Sequence, residues 1–179
     1  MIRQDDGLWV EWDGAVGYTT SGNLTLRNPL PEAFEVEAVL TGHAFGIGWD
    51  PGVYLYAGDG VDMVLGANLM PAVPPWGIPN PIGVIRTPRL AGEVGRLSFN
   101  HFLTVPVAPD KPVRIILTVR SGIAEAAIGD REARELPLPS RPTQLVLGAF
   151  RWSAEKAHVM GQSARYCISA FSYRELPPN

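Results

Sequence analysis

The chain has 179 residues, a length that suits one domain with a self-supporting core. A net charge of -3 with scattered basic residues argues against a nucleic-acid-binding surface, and a hydrophobic content of 46% excludes a disordered chain. The 19 glycines and 17 prolines are too many for a helical protein and are typical of short strands joined by turns.

The first half of the chain reads as short strands and tight turns. Residues 9–12, 17–20 and 24–26 are short apolar or alternating segments, and residues 34–40 alternate apolar side chains with Glu35 and Glu37. Asp50-Pro51-Gly52 predicts a turn between strands at 44–48 and 53–57. A second turn at Gly58-Asp59-Gly60 precedes a strand at 61–65. This pattern predicts a meander of hairpins.

Residues 68–81 form a proline-rich excursion, because five prolines fall between Pro71 and Pro81. Proline removes hydrogen-bond donors from a strand ladder, so this segment cannot be a central strand. Strands are expected to return at 82–86 and 96–105. Pro106, Pro109 and Pro112 then mark the next connection.

The last third contains four strand-like segments, at residues 113–119, 123–128, 144–150 and 165–173. Only residues 153–158 could form a helix, of one or two turns capped by Ser153. The final segment is apolar on both faces, so its second face is expected to lie under a loop or against another molecule. Cys167 within it is expected to be a buried apolar side chain, and a lone cysteine cannot form an internal disulfide.

These patterns predict an all-β fold: a two-sheet antiparallel β-sandwich of the jelly-roll type with about 10–12 strands and at most one short helix. Residues 1–179 are expected to form a single domain. The N-terminus has no apolar signal segment, and no stretch is long enough to span a bilayer. We therefore expect a cytoplasmic protein or one assembled into a particle.

The order of segments resembles the concanavalin A-like lectin/glucanase superfamily in its laminin-G-like form. Residues 34–40 resemble its early strand, residues 113–130 its central hairpin, and residues 145–150 and 164–176 its closing strands. The resemblance implies glycan binding, or glycan hydrolysis or elimination. Hydrolases of this fold carry three carboxylates on one strand, whereas Glu35 and Glu37 are followed by no third, so we interpret them as a solvated face.

Three tryptophans at loop or strand ends are candidate ligand-binding residues, because an exposed indole can stack on a sugar ring or anchor a protein interface. The ligand-binding candidates are Trp76, Trp49 and Trp152, with Tyr54 and Tyr56. Asp50, Asp59 and Asp62 cluster around two turns and could ligate calcium, although aspartate also starts turns by bonding its own backbone. No other cofactor is expected.

The sequence contains no catalytic motif, so the leading hypothesis is a non-enzymatic binding or structural module. Its loops would face a glycan or protein partner, and it could be a homo-oligomer or a subunit of a larger assembly such as a virion surface. The alternative is a polysaccharide-active glycoside hydrolase or lyase of the same fold. The oligomeric state and the identity of the ligand stay open at this point.

Overall fold

The structure, a computed structural model, describes residues 2–12, 24–26, 29–44, 49–57, 62–71, 83–85, 102–130, 133–151 and 164–177. Within these ranges the chain forms thirteen strands and no helix. The strands are β1 Ile2–Gln4, β2 Gly7–Trp12, β3 Leu24–Leu26, β4 Phe34–Ala44, β5 Trp49–Ala57, β6 Asp62–Pro71, β7 Gly83–Ile85, β8 Phe102–Val107, β9 Pro112–Arg120, β10 Ile123–Ile128, β11 Arg134–Pro137, β12 Gln144–Arg151 and β13 Ala164–Glu175. The expected segments at 17–20 and 153–158 lie outside the described residues.

The strands form two sheets. Sheet A has the order β1-β2-β13-β4-β9-β10-β11, and sheet B has the order β3-β12-β5-β6-β8-β7. All strand pairs are antiparallel except β6 and β8, which run parallel. The prediction of an all-β, two-sheet jelly-roll sandwich is confirmed.

The core lies between the two sheets and follows the alternation of the strands. In β4 the side chains of Phe34, Val36, Ala38 and Leu40 are completely buried, while the residues between them are only half-buried. Sheet B contributes alternating residues of β5, β6 and β12, including Leu55. Because side chains alternate across a strand, the remaining positions of each strand form the outer faces of the sandwich.

Two predicted breaks in the first half are wrong. Asp50-Pro51-Gly52 is not a turn but part of β5, where it pairs with residues 148–150 of β12. Proline has no N–H to donate to a neighbouring strand. Pro51 is tolerated in β5 because the pairing of β5 with β6 begins only at the next residue, Gly52. The proline-rich excursion also starts later than residue 68, because β6 continues to Pro71 and pairs with β8. Residues 72–81 lie outside the described part of the chain.

The two-faced character of the final strand has a local cause. β13 changes register against β4 between Ile168 and Ala170, which indicates a β-bulge at Ser169. The extra residue switches the alternation, so Ile168 belongs to the core before the bulge and Tyr173 packs against the core after it. Cys167 is buried, as expected, on the opposite side from Ile168.

In the described residues, no helix has the length and apolar character needed to cross a membrane.

Candidate functional site

The outer face of sheet B carries a set of aromatic and polar positions in register. Tyr54 in the middle of β5 lies opposite Val146 of β12 on one side and Gly66 of β6 on the other. Two residues further along β5, Tyr56 lies opposite Gln144 of β12. Neither tyrosine belongs to the core cluster, whereas their neighbours Val53, Leu55 and Ala57 do. The cross-strand register therefore assembles one surface from residues distant in sequence.

This surface changes from shielded to accessible along β5. Tyr54 is 1% exposed and Val146 is 9% exposed, although both hold outer-face positions. Tyr56 and Gln144 are half-buried, and Thr25 of β3, opposite Val146, is exposed. A ligand approaching sheet B would therefore meet the side chains of Tyr56, Gln144 and Thr25 first, with Tyr54 deeper in the surface.

The phenol of Tyr56 has a perturbed acidity. Burial raises its pKa to about 12, because desolvation disfavours the phenolate. Thr143 fixes the strand at this point, since its backbone N–H donates to the carbonyl oxygen of Tyr56 over 2.7 Å. Tyr56 therefore keeps its phenolic proton at neutral pH.

The structure describes the positions of only some predicted ligand-binding residues. Tyr54 and Tyr56 occupy the same face of β5. Trp49 begins β5 opposite Arg151. It is an odd number of residues away from both tyrosines, so its position alternates with theirs along the strand. Trp76 and Trp152 lie outside the described residues. Ligand binding by the two tyrosines and by the three tryptophans therefore stays a prediction.

The proposed calcium ligands are not brought together in the described structure. Asp50 lies on β5 opposite Phe150, whereas Asp62 begins β6 opposite Ala57, whose side chain is in the core. Asp59 lies outside the described residues. Among those that are described, no group of three acidic, histidine or cysteine side chains is arranged to hold a metal ion. Calcium binding stays a prediction.

Glu35 and Glu37 lie on the outer face of sheet A, where each pairs with an arginine from a neighbouring strand. Glu37 forms a two-bond ion pair with Arg114 of β9, with N···O distances of 2.7 Å and 2.7 Å. Glu35 pairs with Arg174 of β13 at 2.8 Å and accepts a hydrogen bond from the Thr118 hydroxyl. The hydrogen bond from Arg114 lowers the pKa of Glu37, which favours a charged structural carboxylate over a general acid.

A second cluster lies on the same outer face, around Trp9. The Trp9 indole stacks on His43 with ring centroids 4.5 Å apart, and its N–H donates to Asp6 over 2.8 Å. The guanidinium of Arg165 lies 4.3 Å from the Trp9 ring and pairs with Glu11. These contacts connect β2, β13 and β4. Trp9 is 7% exposed, so the cluster joins strands rather than presenting an aromatic surface.

Sequence inspection missed Gln144, Thr25 and Thr143 as members of the site. Gln144 begins a predicted strand, and Thr25 lies in a short segment that gave no functional signal. Their relation to Tyr56 depends on β12 pairing with both β3 and β5. Such non-consecutive neighbours leave no local pattern in the sequence.

No protein-family model matches the chain. No curated protein matches its sequence. Solved structures do share the fold, which is the concanavalin A-like jelly-roll sandwich expected from the sequence. The described chain is similar to alginate lyase A1-II', a member of polysaccharide lyase family 7, with a TM-score of 0.61 over 97% of this chain and 81% of that one at 11% identity.

Two further neighbours are lyases of the same family. AlgAT5 aligns with a TM-score of 0.60 and 7% identity, over 96% of this chain and 79% of its own. AlyA1 from Zobellia galactanivorans aligns with a TM-score of 0.53 and 12% identity, over 93% of this chain and 65% of its own. At these identities the likeness establishes the fold alone.

The comparisons contradict the leading sequence-based hypothesis. A non-enzymatic binding or structural module, with a virion subunit as one version, was expected, but the neighbouring structures are polysaccharide lyases. A structure of A1-II' holds the substrate GGMG, so that neighbour binds an oligosaccharide. The fold comparison therefore favours the alternative, a polysaccharide-active enzyme.

Proposed function

We propose that this chain is a polysaccharide lyase whose substrate binds along the outer face of sheet B. The observation that carries the proposal is the half-buried Tyr56, a protonated phenol that lies beside Gln144 on the outer face of sheet B. The sandwich fold itself is similar to that of alginate lyases. Hydroxyl and amide groups at this position suit the hydroxyl groups of a sugar. Tyr54, two residues away on the same strand, is 1% exposed and packs beneath this surface.

Tyr56 is assigned one of the two proton transfers of an elimination. In that reaction a base takes the proton on the carbon next to a sugar carboxyl group, and an acid protonates the glycosidic oxygen that leaves. A phenol whose pKa is raised to about 12 keeps its proton at neutral pH, so Tyr56 is suited to donate to the leaving oxygen rather than to remove the carbon-bound proton. We assign Gln144 to hydrogen bonding with the sugar.

Hydrolysis by the two glutamates of β4 has less support. Glycosidases of the usual kind need an acid and a nucleophile or base that face one sugar. Glu35 and Glu37 instead form ion pairs with Arg174 and Arg114, respectively, on the outer face of sheet A. These ion pairs support a structural role for both carboxylates.

The proposal is tested by incubating the full chain with alginate and other uronate-containing polysaccharides. Elimination creates a carbon–carbon double bond, which is followed by its ultraviolet absorbance, and hydrolysis creates reducing ends without that absorbance. We expect the double-bond product from at least one polyuronate. Reducing ends without unsaturation would contradict a lyase, and no product from any polysaccharide would contradict the enzymatic proposal.

Tyr56→Phe provides the residue-level test. Removing a general acid lowers kcat by about 10²–10⁴-fold with a smaller change in KM. Tyr173→Phe is the matched control, because Tyr173 is a half-buried tyrosine of sheet A that packs against Phe34 and lies on the opposite sheet. We expect the control to keep wild-type kcat. An equal loss in both variants would indicate a structural effect and remove Tyr56 from the reaction.

A further inference from the structure

The second half of β13 is an open edge of sheet A. Residues 164–168 of β13 lie between β2 and β4, but the pairing with β2 stops at Ile168, which lies opposite Leu8. From Ala170 to Glu175 the described structure provides β4 on one side and no strand on the other. Six residues extend over roughly 20 Å of strand. All of them are exposed except Tyr173, and Phe171 is 42% exposed.

The hydrogen-bond pattern shows which backbone groups this edge presents. The N–H of Leu176 donates to the carbonyl of Ala33 at the end of the ladder with β4. Because the direction alternates along an antiparallel strand, the N–H and C=O groups of Ala170, Ser172 and Arg174 also point toward β4. Those of Phe171, Tyr173 and Glu175 point outward. The edge therefore offers three donors and three acceptors in alternate positions.

We propose that the open edge pairs with the same edge of a second copy of this chain, which joins the two A sheets into one antiparallel sheet. A two-fold axis at Tyr173 places Tyr173 opposite its counterpart and Phe171 opposite Glu175 of the second copy. In this register every outward N–H meets an outward C=O, which gives six hydrogen bonds. An isologous arrangement of this kind closes at two copies.

Charge complementarity favours a second copy as the occupant. The β1–β2 turn carries Asp5 and Asp6, both exposed, and Gly7 beside it approaches the backbone of Ile168 and Ser169. The two-fold register places Arg174 of the second copy opposite Ser172, about 10 Å along the sheet from that turn. Arg174 and Asp6 lie on the same outer face, since Arg174 pairs with Glu35 and Asp6 binds the Trp9 indole. The pairing therefore brings the Arg174 cation of each copy toward the acidic turn of the other along the same outer face.

The contact is small and therefore weak. A single six-residue strand pair is below the size of a standard stable interface. We measure the mass of the full chain by analytical ultracentrifugation from about 1 µM to about 1 mM, the range in which weak association is detected. A monomer–dimer equilibrium is expected, and a monomer at every concentration would overturn the proposal.

Phe171→Pro tests the edge itself. The N–H of Phe171 points outward, so proline at this position removes a donor to the second copy without removing a bond to β4. We expect this variant to keep the wild-type melting temperature within a few degrees and to stay monomeric at about 1 mM. Ser172→Pro is the control for placement, because its N–H points toward β4 and its loss lowers the melting temperature. A dimer that survives Phe171→Pro would place the contact elsewhere and overturn the proposal.

Amide hydrogen exchange in the wild-type chain gives a readout that does not depend on a folded variant. The amides of Ser172 and Arg174 are expected to be protected at all concentrations because they bond to β4. Those of Phe171, Tyr173 and Glu175 are expected to become protected only as dimers form. Equal exchange of the outward amides in dilute and concentrated samples would contradict the pairing.

Discussion

Raising the pH through the titration of tyrosine tests the environment of Tyr56 quantitatively. Burial raises its pKa from the ordinary value of 10.0 to about 12. One pKa unit corresponds to about 1.36 kcal/mol, so two units correspond to roughly 2–3 kcal/mol of folding free energy. The folded chain holds the phenolic proton more tightly than the unfolded chain. This contribution is therefore fully present below pH 10 and is lost as the pH rises to about 12.

The assay is chemical denaturation of the wild type and Tyr56→Phe at steps between about pH 8 and pH 12. Phenylalanine does not titrate, so the difference between the two free energies of unfolding isolates the phenol from the other ionisable groups. We expect the wild type to lose about 2–3 kcal/mol relative to the variant over the upper two pH units. Parallel curves would show that Tyr56 ionises as an exposed tyrosine does, and would refute the reasoning about its burial.

Two further perturbations follow from the structure. Gly7→Ala should destabilise the chain by about 2–4 kcal/mol in thermal or chemical denaturation, because Gly7 has a φ of 147° and a Cβ there would lie 2.5 Å from the carbonyl oxygen of Ile168. Gly122→Ala, with a φ of 76° and no atom within 4 Å, should cost only about 1–2 kcal/mol, and equal costs would contradict the close approach at Gly7. Glu37→Gln should destabilise the chain at neutral pH, because Arg114 lowers the pKa of this carboxyl below its ordinary value of 4.5. This contribution is present above pH 4.5 and is lost as the pH falls through the lowered pKa, so a difference between wild type and variant that persists in strong acid would contradict the ion pair.

Alternation along single strands was readable from the sequence because it depends only on neighbouring residues. The pattern at residues 34–40 correctly predicted β4, and residues 113–128 correctly predicted the β9–β10 hairpin. Asp50-Pro51-Gly52 misled because turn chemistry is a local preference, whereas pairing with β12 decides the conformation of β5. β11 was missed because Pro137 and the prolines that follow it resemble a linker, although residues 134–137 pair with β10.

The candidate site was only partly predictable. Tyr54 and Tyr56 share one face of a strand, which follows from a spacing of two residues. Gln144 and Thr25 join them through pairings between strands that are distant in sequence, so no spacing rule finds them. The bulge at Ser169 had a similar effect on β13, since one extra residue explains an apolar pattern on both faces.

Binding of an alginate oligosaccharide, followed by backbone amide chemical shifts, tests the central claim most directly. If the substrate binds on sheet B, the amides that respond are those of β5 and β12 around Tyr56 and Gln144. Responses confined to the outer face of sheet A, around Glu35 and Glu37, would contradict the placement of the substrate on sheet B.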